Sequence, residues 1–254
     1  MIKTGQEFQE VVYGYWSRRF TCDRNNFKTL GTHIIKEEEL NGTNKAIVYH
    51  IDKMSVVRID PLLVRKMRLL DKLDGKAISL AVNDLQASAE DKYRIELTST
   101  LLDCFLDAND FKPHTVPADF TARRVFPENG SAQLSDLFHA CTAEDLDEAD
   151  IYVDDPDPVI YGMFDGESMV AYASHRYWDN VIADMGVLIH PAYRSRGLGK
   201  AVVSALCAWC IQNEIVPMYR VFDDHTHSVK IPQALGFKEL VVIESLKCID
   251  TSRT

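Results

Sequence analysis

No apolar run in the 254-residue sequence approaches the roughly 20 residues that span a bilayer. The longest, over 201–211, is interrupted by Ser204. Basic residues are also scarce, with 28 Lys and Arg against 38 Asp and Glu, a formal net charge of −10. That deficit excludes the clustered cationic footprint that phosphate-backbone recognition requires. Glycine and proline, at 12 and 9, are too few for a fibrous or low-complexity chain. The six cysteines (Cys22, Cys104, Cys141, Cys207, Cys210, Cys248) are scattered and form no disulfide framework. The first ten residues are mixed-polar without an apolar signal core. A cytoplasmic protein in a reducing compartment is therefore expected. Against these absences stands a hydrophobic content of 46%, enough for a packed core.

The N-terminal half reads as a small α/β domain. Thr4-Gly5-Gln6-Glu7 has capping-box spacing, and Phe8, Val11, Val12, Tyr15 and Trp16 recur on one helical face, predicting a helix over 4–19. Tyr13, Tyr15 and Trp16 beside Arg18 and Arg19 read as core aromatics with a charged rim. Short β-branched runs over 33–37, 46–51 and 54–59, separated by turn residues, predict strands. Asp60-Pro61 starts a second helix expected to end near Asp74-Gly75. The stretch 95–108 carries both helix and strand signals. Two prolines within 112–117 place a linker there, dividing the chain into domains 1–116 and 117–254.

Beyond it, a strand is expected over 122–125 and a helix over 131–139, followed by an acidic surface loop over 144–157 that admits one helical turn. Three strands over 159–164, 168–177 and 181–190, joined at Asp165-Gly166 and Asp179-Asn180, form an antiparallel meander. A helix over 198–212, a strand over 218–222, a short helix over 228–235 stopped by Gly236, and a strand over 237–249 complete the pattern.

The stretch from Gly186 to Lys200 concentrates the chemistry: a β-type run ends at Pro191, and Arg194-Ser195-Arg196-Gly197-Leu198-Gly199-Lys200 then opens a helix. A helix N-terminus offers unpaired amides and the positive end of the macrodipole, and glycines allow a bulky anion to approach them. Gly197 and Gly199 thus mark an anion cradle suited to a pyrophosphate. A dinucleotide fingerprint would need glycine at Val202, and a P-loop would need it at Arg194, so neither motif is present.

Arg194-x-x-Gly197-x-Gly199 after Val187-Leu188-Ile189 and Pro191, with His225-x-x-Ser228 and Leu235-Gly236-Phe237 downstream, resembles the acyl-CoA signature of the GNAT N-acyltransferase superfamily. The resemblance covers about half the chain, roughly residues 120–250. It implies a mixed, largely antiparallel twisted sheet flanked by helices, preceded by the smaller α/β domain. It further implies that the backbone of Val187, Leu188 and Ile189 pairs with a pantetheine arm, that amides from Arg194, Ser195, Arg196, Gly197, Leu198, Gly199 and Lys200 hold the pyrophosphate, and that Ser228 contacts the same molecule. Acetyl-CoA would be the co-substrate and a small-molecule or peptide amine the acceptor, without nucleic acid, membrane or metal; a homodimer is compatible.

Three positions depart from the pattern, the first being His225, which stands where an asparagine is usual. Pro232 stands where many members carry a proton-donating tyrosine, and Ala183 where a carboxylate base is common. Asp184 and Tyr219 are the candidate base and acid; each has a purely structural alternative. Asp223, Asp224, His225 and His227 read as a loop rather than a metal site, and Cys207-x-x-Cys210 as helix packing. The function expected is acyl transfer to a primary amine, with a catalytically silent acyl-CoA sensor as the alternative.

Overall fold

The computed structural model describes residues 4–66, 93–151 and 157–251. In chain order the elements are α1 (Gly5–Phe20), β1 (Gly31–Lys36), β2 (Lys45–Ile51), β3 (Met54–Ile59), α2 (Pro61–Lys66), β4 (Tyr93–Phe105), β5 (Thr121–Val125), α3 (Pro127–Ala140), α4 (Ala143–Glu148), β6 (Val159–Asp165), β7 (Ser168–Trp178), β8 (Ile182–Ile189), α5 (Leu198–Gln212), β9 (Val216–Phe222), α6 (Thr226–Leu235) and β10 (Lys238–Asp250). The chain forms a mixed α/β fold with mostly antiparallel strand pairing and flanking helices.

The compact units are not contiguous in sequence. One combines 1–12, 104–220 and 226–238, and the other 13–103, 221–225 and 239–254. The 112–117 segment lies within the 104–220 stretch of the first unit. Lys112 N–H donates to the Leu235 carbonyl at 2.9 Å, and His114 N–H to Ser204 Oγ at 2.9 Å. Those bonds strap the proline-containing segment onto α5 and α6 instead of leaving it a free connection.

In the unit containing 13–103, the strand order is β1-β3-β2-β10-β4, with β1 parallel to β3 and the β2–β3 and β2–β10 pairs antiparallel. Val48, Val57, Ile59, Leu63 and Leu246 form its core. Trp16 stacks on Phe20 at 5.3 Å between ring centroids, and Phe20 meets Tyr49 edge-on at 4.9 Å, so the aromatics of α1 pack inward as their spacing predicts. Asp60, fully buried, caps α2 by accepting from Leu62 N–H at 2.8 Å and also accepts from Asn44 N–H at 2.9 Å. The expected continuation of that helix to Gly75 lies outside the described residues. The ambiguous 95–108 stretch resolves as strand β4.

In the unit containing 104–220, the order is β9-β8-β7-β6-β5. The meander β6-β7-β8 is antiparallel, as its turns predict, and β9 lies parallel to β8. Met185 Sδ lies 3.8 Å from Cys207 Sγ on α5, so odd-numbered residues of β8 face that helix. Leu188 clusters with Leu134, Leu137 and Tyr172, so even-numbered residues face α3. Cys207 and Cys210 are both buried, and burial raises both thiols, which makes the pair core packing. The acidic 144–157 stretch opens with helix α4, whose capping box joins Thr142 and Asp145; residues 152–156 lie outside the described part.

Candidate active site at the β8–β9 fork

The parallel β8–β9 ladder is short. It covers four positions, from Ile182 opposite Val216 to Met185 opposite Tyr219. Pairing of β8 with β7 continues to Ile189 opposite Ala171. The His190 N–H donates to the Val170 carbonyl at 3.0 Å, and this fixes the phase of the antiparallel ladder. Backbone groups alternate between the two edges of a strand, so those of Leu188 turn to Tyr172 on β7, while those of Val187 and Ile189 turn to the β9 side. Among the described residues that edge has no strand partner beyond Met185. Cys141 approaches it, with Sγ 3.9 Å from the Ile189 carbonyl. Of the three residues expected to offer backbone, two face the open edge and Leu188 does not.

The open edge runs into the glycine loop. Ser195 and Gly197 have φ of +63° and +80°, left-handed conformations that turn successive amides toward one side. Gly197 is the N-cap of α5, and the first intrahelical bond near the start runs from Ala201 N–H to the Gly197 carbonyl at 3.2 Å. The amides of Leu198, Gly199 and Lys200 therefore precede any intrahelical acceptor. A Cβ on Gly199 would lie 3.1 Å from both Ile189 Cδ1 and Ile231 Cδ1, so the helix start packs tightly against the strand end and α6 at this residue. The free amides of Leu198, Gly199 and Lys200 thus lie at the end of the open strand edge, where a helix N-terminus favours an anion.

Tyr219 and Ser228, singled out on separate grounds, are in contact: the Ser228 hydroxyl hydrogen-bonds the phenol. Tyr219 is 3% exposed, and burial pushes its pKa well up despite that bond, so the phenol stays protonated. Ser228 lies one helical turn before Pro232 on α6. The buried hydroxyl of Tyr219 thus reaches the turn of α6 that lacks a donor at Pro232.

Ala183 is fully buried and, being odd-numbered, faces α5. Asp184 lies on the opposite face of the sheet, beside Arg220 at 4.0 Å, with its side chain 16% exposed. No bulge interrupts β7–β8 pairing to change this register. Asp184 and Tyr219 therefore approach the fork from opposite faces.

Three neighbours escape notice in the sequence. Arg194 is ion-paired with Asp145 at 2.6 Å, Cys141 reaches the Ile189 carbonyl, and His114 Nε2 would stand 3.8 Å from a Cβ on Gly197. Only the Thr142-to-Asp145 spacing gave a local signal, and it announced a cap rather than a partner for Arg194. In the other unit a cavity of about 490 Å³ is walled by residues including Arg19, His33, Glu37 and Arg58, and contains nothing of the glycine loop. Among the described residues no group of three or more His, Cys, Asp or Glu is arranged to hold a metal. None of their helices is long and apolar enough to cross a membrane.

Residues 126–237 match the acetyltransferase (GNAT) family. No curated protein matches the chain. Among solved structures, the chain resembles a GCN5-related N-acetyltransferase from Sphaerobacter thermophilus, with a TM-score of 0.51 and 12% identity over 77% of this chain and 72% of that one. An acetyltransferase from the GNAT family of Colwellia psychrerythraea gives a TM-score of 0.49 and 13% identity over 75% of each chain. A Salmonella typhimurium protein, solved with its cofactor acetyl-CoA, gives 0.39 and 17% identity over 52% of this chain and 94% of that one.

Proposed function

We propose that this protein, whose residues 126–237 match the acetyltransferase (GNAT) family, transfers the acetyl group of acetyl-CoA directly to a primary amine. The observation that carries this reading is the open strand edge of Val187 and Ile189 leading into the amide turn at Gly197. An extended pantetheine arm adds to that edge as a strand would, and the diphosphate is held by amides of the 194–200 turn. The Val187 amide donates to the thioester carbonyl, stabilising charge that develops on its oxygen during attack.

Asp184 and Tyr219 divide the proton transfers. The amine arrives on the Asp184 face, where the carboxylate orients and accepts a proton from the ammonium, directly or through water. The departing thiolate is protonated on the other face by the Tyr219 phenol, which Ser228 orients. Holding both substrates at one fork supplies much of the rate, with no covalent enzyme intermediate. The net charge of −10 favours a cationic acceptor, a small amine or a peptide amine.

The reading is tested by following CoA thiol release from acetyl-CoA against a panel of polyamines, amino sugars and lysine peptides. Amine-dependent release that Asp184→Asn slows is expected. A second reading, an acyl-CoA sensor without turnover, is favoured by the Asp184–Arg220 pair, which already engages the candidate base. It predicts tight acetyl-CoA binding with no amine-dependent thiol release.

A further inference from the structure

The segment from Cys141 to Ala149 touches the proposed cofactor-binding elements at three points. Cys141 Sγ lies 3.9 Å from the Ile189 carbonyl. Asp145 Oδ1 accepts from Arg194 Nη2 at 2.6 Å. The Ala149 carbonyl lies where a Cβ on Gly186 would come within 2.3 Å of it. The Asp145 carboxylate is itself immobilised: its Oδ2 accepts from Thr142 N–H at 3.0 Å, while its own N–H donates to Thr142 Oγ1 at 3.1 Å. Burial alone would raise this carboxyl, but the hydrogen bonds from Thr142 and Arg194 outweigh it and hold it below the ordinary range. The segment is also anchored from beneath, because Leu146 and Ala149 pack in the cluster that contains Leu188.

Arg194 is 49% exposed, and a guanidinium carries five donors in a rigid fork. One Nη2 contact to a fixed carboxylate therefore sets the plane of the group and leaves donors for a second anion. We infer that Asp145 is a positioning residue which holds the Arg194 guanidinium at the mouth of the amide turn for recognition of the CoA diphosphate. This rests on the acetyl-CoA reading above. Asp145 touches no cofactor atom itself and acts through Arg194, so its removal affects recognition of the diphosphate and not of the pantetheine arm.

The test is calorimetric titration of wild type, Asp145→Ala, Arg194→Gln, the double variant and Thr142→Ala with acetyl-CoA, and with S-acetylpantetheine, which lacks the diphosphate. Thr142→Ala breaks the same capping box but keeps the carboxylate beside Arg194. We expect Asp145→Ala and Arg194→Gln each to weaken acetyl-CoA by about tenfold, the size of one hydrogen bond to a charged group. The double variant should be no weaker than Arg194→Gln alone, Thr142→Ala should bind within about twofold of wild type, and S-acetylpantetheine affinity should be unchanged throughout. Tighter or unchanged acetyl-CoA binding by Asp145→Ala overturns the inference while leaving the acetyl-CoA reading intact, as do additive losses or an equal loss in Thr142→Ala. Absence of acetyl-CoA binding by wild type overturns both.

Discussion

The carbonyl oxygen of Ala149 occupies space that a side chain at Gly186 would need: a Cβ there would stand 2.3 Å from it. Strand β8 can pass beneath the end of α4 only as glycine at this point. Because the contact is with backbone, no rotamer change relieves it. Gly186→Ala is accordingly expected to lower stability by about 1–3 kcal/mol, read as a shift of the urea midpoint without a change in slope.

His175 gives the fold a defined acid limb. Its side chain is fully buried, stacked on Trp209 at 5.7 Å and edge-on to Tyr177 at 4.6 Å, and neither ring nitrogen has a partner of good geometry. Burial lowers its pKa from 6.5 to about 4, the nearby Arg176 backbone opposing only in part and Arg124 adding to the fall. Between those pH values the unfolded chain takes up a proton that the folded chain refuses, so stability falls as pH falls from 6.5 to about 4 and then levels off. The contribution is at most about 3 kcal/mol. His175→Phe should flatten this limb in denaturation curves taken between pH 4 and 7; an unchanged slope would assign the acid sensitivity to other groups.

The Tyr219 phenol meets α6 at Ser228, one helical turn before Pro232. With the phenol protonated and hydrogen-bonded by Ser228, Tyr219→Phe should lower kcat about 10²-fold while acetyl-CoA affinity stays within twofold. An unchanged kcat would mean that the thiolate leaves without an acid from the protein, consistent with its ordinary pKa near ~8.5.

The parts of the fold and site legible in the sequence are those encoded locally. The glycine loop, the meander and helix α5 follow from residue spacing and turn chemistry within a few positions of each other. What was missed depends on distance. Pro127 opens α3 ahead of the expected start near 131, because proline is suited to the first helical turn and the apolar face begins only later. Residues 143–148 form a helix despite their acidity because the Thr142 box and the ion pair of Asp145 with Arg194 offset the like charges. The parallel pairing of β1 with β3 leaves no spacing signal. Neither does the strapping of 112–114 onto α5 and α6, whose partners lie far along the chain. Alternation along a strand correctly put Asp184 and Ala183 on different faces, but only the Met185–Cys207 contact tells which face belongs to α5.

The most direct test of the central claim is calorimetric titration of the full chain with acetyl-CoA, comparing wild type with Gly197→Glu. Gly197 holds φ of +80° at the N-cap of α5, where a glutamate adds both strain and negative charge to the amide turn. Saturable 1:1 binding by wild type that the folded variant loses is the predicted result. No binding by wild type, or equal binding by both proteins, would contradict the assignment of the fork between β8 and β9 as the acyl-CoA site.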